Sequence, residues 1–272
     1  ALWFANELYG TPSVPMTFAL ILPLLGSFGI IPIIIAIYFA GELVWRDRER
    51  GMNEIIDSTA LPNWAYFIPK VIAVSAVLVA TLFIASLAAI FVQLLRGYLD
   101  LELHKYFFWF ILPFAIDMLM IAILAVFLQS LSSSKYVGWG LMAIYLVASI
   151  TLVSIGFEHP LYNFGETGFV RISDMNGTEV GGAKSWLLRL YGSGVCLILS
   201  VLSYLFWRRG VGISIASQIR RFPSRFKGAP AGVAFAGLLV SATSGAWLFY
   251  QMNVISEYVT SDEVEELSLI HI

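Results

Sequence analysis

Histidine and cysteine are sparse in this sequence, and they do not cluster. The three histidines, His104, His159 and His271, lie far apart, and the one cysteine, Cys196, sits inside an apolar run. There is no His-Glu-x-x-His pair and no cysteine cluster at metal-ligand spacing, and a single cysteine builds no disulfide framework. No catalytic, cofactor-binding or metal site is therefore expected in these residues. A glycine-rich phosphate loop with its following lysine is also missing, so ATP is not expected to be handled by this chain. Two features remain. One is a lone carboxylate, Asp117, flanked by Ile116 and Met118 in the middle of a long apolar run. The other is a dense charged segment that includes Arg46, Arg48, Glu49, Arg50, Gly51, Glu54, Ile55 and Asp57.

Each feature has a chemical and a plainer reading. A carboxylate at the centre of a membrane helix costs about 2.5–3.5 kcal/mol on insertion scales, so Asp117 must face other helices or a wet cavity. It is then either an intramembrane polar site that contacts substrate or a proton, or a hydrogen-bonded carboxyl that links helices. In the charged segment, Met52, Ile55, Ile56 and Thr59 recur at the i, i+3, i+4, i+7 spacing of one helix face. Asn53, Glu54, Asp57 and Ser58 take the other face. This pattern predicts a short amphipathic helix along the membrane surface, ended before Pro62. Its plainer role is to pack under the bundle.

The elements that must position these residues are apolar to an unusual degree. Hydrophobic residues make up 59% of the chain and charged residues only 12%, with a mean hydropathy of +0.82. Soluble domains carry about a quarter charged residues, so a soluble enzyme is excluded. The apolar runs are continuous and long enough for a hydrocarbon core of about 30 Å, which takes roughly 20 helical residues. They also lack the period-two alternation of barrel strands. The expectation is an all-α polytopic transmembrane bundle of about six spans, at 18–39, 68–95, 106–130, 136–157, 186–207 and 232–250. Pro23 and Pro32 predict a kinked first span. Gln93 and Gln129 fall near span ends and are expected at the interface. Trp45, Trp139, Trp186, Trp207 and Trp247 also sit at span ends, as interfacial anchors do.

Orientation follows from the basic residues. Arg46, Arg48, Arg50, Lys70, Lys135, Arg208, Arg209, Arg220, Arg221, Arg225 and Lys227 share one side of a six-span arrangement. Arg96, Lys105, Arg171, Lys184 and Arg189 fall on the other. The positive-inside rule puts the Arg46 and Arg208 loops in the cytoplasm and the loop 158–184 outside. The basic stretch 208–227 is expected to meet anionic headgroups. Residues 1–256 form the expected transmembrane domain. Residues 257–272 read as the start of an outward region, the last few non-native, and the chain as an internal piece of a longer protein.

The run Arg48-Glu49-Arg50-Gly51, then Glu54-Ile55-Ile56-Asp57, then Leu61-Pro62 and Lys70, resembles the cytoplasmic coupling segment of ABC transporter permeases of the type-2 exporter class. Together with Ser173–Gly177 and Trp207-Arg208-Arg209-Gly210, it looks like the membrane part of bacterial permeases fused to a zinc aminopeptidase. The resemblance implies a bacterial inner-membrane location, an ABC ATP-binding subunit as partner, and a second permease half or homodimer partner. ATP would be bound on the partner subunit, and any peptidase chemistry would lie beyond residue 272. Arg46, Arg48, Glu49, Arg50, Gly51, Glu54, Ile55 and Asp57 would then couple the permease to its ATPase. In this reading the chain is the membrane-spanning part of an exporter of unknown substrate. Two rivals stay open: a passive membrane anchor for an extracytoplasmic aminopeptidase, and an ion-coupled secondary transporter using Asp117. Nucleic-acid binding is not expected, because no folded soluble reader is visible.

Overall fold

In the computed structural model, the described residues are 7–8, 11–12, 14–27, 30–59, 61–165, 167–168, 170, 172, 177, 179–207 and 226–255. The motif residues 173–176, Arg171, the basic residues Arg208, Arg209, Arg220, Arg221 and Arg225, His271 and the segment 257–272 lie outside them. The protein is an all-α polytopic helix bundle. Its strand content among the described residues is a two-residue antiparallel pairing of Glu7–Leu8 with Thr11–Pro12.

The helices are α1 (Thr17–Ser27), α2 (Ile31–Glu49), α3 (Asn53–Asp57), α4 (Trp64–Leu95), α5 (Leu103–Lys105), α6 (Leu112–Leu131), α7 (Lys135–Ser154), α8 (Glu179–Phe206) and α9 (Ala229–Tyr250). A π-helical segment, Tyr106–Ile111, joins α5 to α6, and a second, Gln251–Ile255, extends α9. Five continuous helical stretches are long and apolar enough to cross a membrane: α4, α5 through α6, α7, α8 and α9 with its extension. The pair α1 and α2, bent by 54° between its halves, meets the same length and apolarity only when taken together, as a broken span or a re-entrant loop. A multi-pass membrane protein is the result.

Most spans fall close to the expected ranges, but the first differs. It divides into two helices instead of one kinked helix across 18–39, with Pro23 inside α1 and Pro32 in the first turn of α2. A proline is tolerated in that first turn, where the missing N–H would be unpaired anyway. The second helix then runs past residue 39, where the first span was expected to end, and stops at Glu49. Gly51 stops it. At φ +66° this glycine sits in the left-handed region, its N–H reaches the Arg48 carbonyl, and the Met52 N–H reaches that of Asp47. Those two bonds are the Schellman closure of a helix C-terminus. The amphipathic helix expected over Met52 to Thr59 is correspondingly short, five residues in α3.

The most enclosed helix is α6, which packs against α2, α4, α7 and α8. Half of the apolar part of the α5–α6 stretch is buried, against 11% for α7, which turns most of its circumference outward. Its core contacts include Met118, Met120, Ala122 and Val126. At its N-terminal side, Pro113 lacks an N–H and its ring would crowd the carbonyl four residues back, that of Trp109. The chain there takes the wider π path, with the Leu112 N–H reaching back five residues to Phe107.

Lipid tails are as apolar as leucine, so helices in a bilayer associate through close packing at small residues. The α8–α9 contact shows this directly. A Cβ placed at Gly194 would lie 2.8 Å from the Gly237 carbonyl oxygen and 2.4 Å from Ser241 Oγ, and one at Gly237 would lie 2.7 Å from the Gly194 carbonyl oxygen. Gly194→Leu is therefore expected to force the helices apart and to lower stability by about 1–3 kcal/mol. A thermal melt in detergent checks this: a variant melting with the parent would show that the contact is looser than described.

Candidate functional site

Polar groups concentrate at two places, one at the Arg46 end of the bundle and one inside it. At the Arg46 end, the last turns of α2 are pinned to three other helices. Lys70 of α4 donates to the Leu43 carbonyl at 2.6 Å and to Asp47 Oδ2 at 2.8 Å. Lys135, at the start of α7, bridges Glu42 at 3.0 Å and Glu49 at 2.9 Å. Trp45 Nε1 donates to Gln129 Oε1 of α6 at 3.0 Å. The Ser134 hydroxyl caps α7 by accepting from the Val137 N–H. These pairs place Arg46, Lys70 and Lys135 at the same end of the bundle, as the span arrangement requires.

The charged segment divides between inward and outward residues. Glu49 is committed to Lys135, Arg48 lies over the Trp45 ring at 5.0 Å, Gly51 makes the turn, and Asp57 is half-buried against α2. Arg46, Arg50 and Glu54 are exposed. Ile55 is 70% exposed and Met52 50%, while Ile56 of the same face is half-buried toward α2, so the apolar face of α3 looks outward only in part. Below it, Tyr66 Oη donates to the Ile56 carbonyl at 3.0 Å, and Asn63 Nδ2 donates to the Tyr204 carbonyl of α8 at 2.9 Å.

The second place is Asp117. It faces the bundle and is held by Arg189, a residue that sequence reasoning assigned to the flank of the fifth span. That span begins at Glu179, well before Trp186, which carries Arg189 into the helix interior. Arg189 Nε donates to Asp117 Oδ1 at 2.9 Å and Nη2 donates to Oδ2 at 2.8 Å, a bidentate pair. Nη1 donates to Ser185 Oγ at 2.5 Å, one helical turn back. Thr167, from the loop between α7 and α8, donates to Asp117 Oδ2 at 3.3 Å and accepts from Nη2 at 3.2 Å. The Trp186 ring lies 5.4 Å from the guanidinium carbon. The one sequence signal for this pair was a single arginine and a single aspartate in otherwise apolar runs, with Ser185 at i−4 from the arginine.

The glutamines also depart from the interfacial expectation. Gln93 is fully buried, donating to the Pro15 carbonyl at 3.0 Å and accepting from Tyr106 Oη at 3.0 Å. Gln129 holds Trp45 and the α6–α7 turn. Among the tryptophans, Trp207 is buried against Phe67, and Trp139 closes on Gly41, where a Cβ would lie 2.1 Å from its Nε1.

Among the described residues, no group of three or more His, Cys, Asp or Glu could hold a metal ion. His104 stands in α5. His159 lies in the loop after α7, with Nδ1 accepting from the Leu161 N–H at 3.3 Å and Nε2 3.2 Å from Asn253 Nδ2. No family of known proteins, no curated protein and no solved structure matches this chain.

Removing one partner of a buried ion pair leaves the other uncompensated, at a cost of about 3–5 kcal/mol, whereas replacing both by apolar residues is far milder. Arg189→Met is expected to destabilise strongly, and Asp117→Leu with Arg189→Met to recover most of the loss. Melting temperatures of the two variants in detergent check this, and equal losses would refute the pairing. Partial burial holds the His159 pKa below the ordinary value of 6.5, so its contribution to stability is full above that value and is lost as pH falls through the lower folded one. A stability–pH profile that His159→Gln flattens on the acid side is the expected outcome.

Proposed function

We propose that this chain is the membrane-spanning part of an ABC exporter in a bacterial inner membrane. The segment from Arg46 to Asp57 would be its contact with a cytoplasmic ATP-binding subunit. The observation that carries this reading is mechanical. Helix α2 passes unbroken from the bundle to Glu49, and Lys70 and Lys135 clamp its end to α4 and α7. A push on α3 is thereby delivered to several spans at once, which is what coupling nucleotide-driven closure to helix tilting requires. The outward residues Arg46, Arg50, Glu54 and Ile55 offer an apolar anchor ringed by charges of both signs, the make-up of a docking surface with a polar rim. ATP would be held by the partner, and a second permease half or a second copy would complete the path. The resemblance to permease–aminopeptidase fusions supports the same placement, with peptidase chemistry outside this chain.

The exposed residues give a cleaner test than the whole segment, because Arg48 and Glu49 have structural partners. The full-length protein, solubilised in detergent, is expected to co-purify with an ATPase. The combined change of Arg46, Arg50, Glu54 and Ile55 to alanine is expected to cut that yield about tenfold or more, a loss of about 1.4 kcal/mol of binding. Its melting temperature should stay near the parent's, because surface substitutions rarely exceed about 0.5 kcal/mol. If no ATPase co-purifies, or the variant retains it in full, the passive anchor is the better account.

A further inference from the structure

A cavity of about 200 Å³ lies against the buried ion pair, on the side of α8 that carries Arg189. Its polar wall is the Arg189 guanidinium with the hydroxyl-bearing residues Ser185 and Thr167, and Asp117 stands behind that wall without lining the space. Its apolar wall is aromatic, with Phe108, Trp109, Phe114 and Trp186. Two of these rings belong to the π-helical segment, and such segments often mark functional sites. Phe108 is 58% exposed and Trp186 44%, so the aromatic side meets the surroundings of the spans. Arg189 itself is buried, yet among the described residues one of its five N–H hydrogens, on Nη1, has no acceptor.

We propose that this cavity binds an uncharged acyl amphiphile through its ester or amide carbonyl. The carbonyl oxygen accepts from the remaining Arg189 N–H, the Ser185 and Thr167 hydroxyls flank the head, and the acyl chain lies along the aromatic wall. Charge decides between heads. Asp117 already neutralises Arg189, so a carboxylate or phosphate head would add an uncompensated negative charge in a low-dielectric site, a cost that one additional hydrogen bond does not offset. A carbonyl satisfies the spare donor and leaves the pair neutral. An acyl chain suits a wall of aromatic rings, two of which are open at the surface. The proposal does not depend on the coupling reading, since binding needs no ATPase.

Trp109 and Trp186 line the cavity, so a bromine-labelled chain inside it quenches their fluorescence. The purified full-length protein in detergent would be titrated with a monoacylglycerol carrying a dibrominated chain and, separately, with the corresponding fatty-acid anion. The expected result is saturable quenching by the ester, much of it lost in Trp186→Phe, with the anion at least about tenfold weaker. Val170→Trp fills the cavity and leaves the ion pair in place, and it should raise the ester midpoint by a similar factor at unchanged melting temperature. Unsaturable quenching that is the same in Val170→Trp is bulk partitioning and overturns the proposal. Equal or tighter binding of the anion overturns the choice of head.

Discussion

Inside a bilayer no water is present to meet a stray polar group, so an unpaired charge there is costly unless the protein supplies its partner. The pairing of Asp117 with Arg189 is the most demanding case in this molecule. It fixes α6, the most enclosed helix, against α8 at one depth and one rotation, because both guanidinium–carboxylate bonds must form together. The loop between α7 and α8 is drawn down to the same point through Thr167. Tyr145 tightens it further by donating to the Phe164 carbonyl. With α6 placed, α2, α4 and α7 settle around it, and α8 carries α9 on its glycine-lined side.

Against this fixed centre, the Arg46 end is built differently. Its ion pairs are half-exposed and draw on flexible lysines, Lys70 and Lys135, so what they supply is mainly geometry. They hold the end of α2 in line with the spans while leaving α3 outside. A stiff interior and a charged, projecting end are compatible with motion transmitted through the bundle as a body.

How much of this was legible in the sequence depends on which physical signal each feature leaves. Spans announce themselves by hydropathy, and α4, α6, α7 and α9 lie close to their expected ranges. The Arg189 partnership was hidden because an arginine three residues after a tryptophan reads like a flank, and hydropathy does not register how far a helix extends before its apolar run. Gln93 and Gln129 were hidden for a similar reason: a polar side chain near a span end is ambiguous until its neighbours are known. The turn at Gly51 was visible as a glycine after a charged run, but its consequence, an α3 that turns Met52 and Ile55 away from the bundle, is tertiary. The motif of exposed charges survived into the structure only in part, since Glu49 and Arg48 turned out to serve the fold.

The π-helical segment before α6 carries one further consequence. A five-residue step in place of a four-residue one is equivalent to one surplus residue accommodated inside a helix. Because each residue of an α-helix turns about 100°, that surplus sets the phase between Lys105, Trp109 and everything that follows Leu112. Relatives of this chain that lacked one residue between 106 and 111 would have a span only one residue shorter and of nearly the same hydropathy, yet would present a different face to the ion pair. Length variation at this point would therefore re-aim the aromatic wall without redrawing the topology, an inexpensive route by which one scaffold could come to favour different guests.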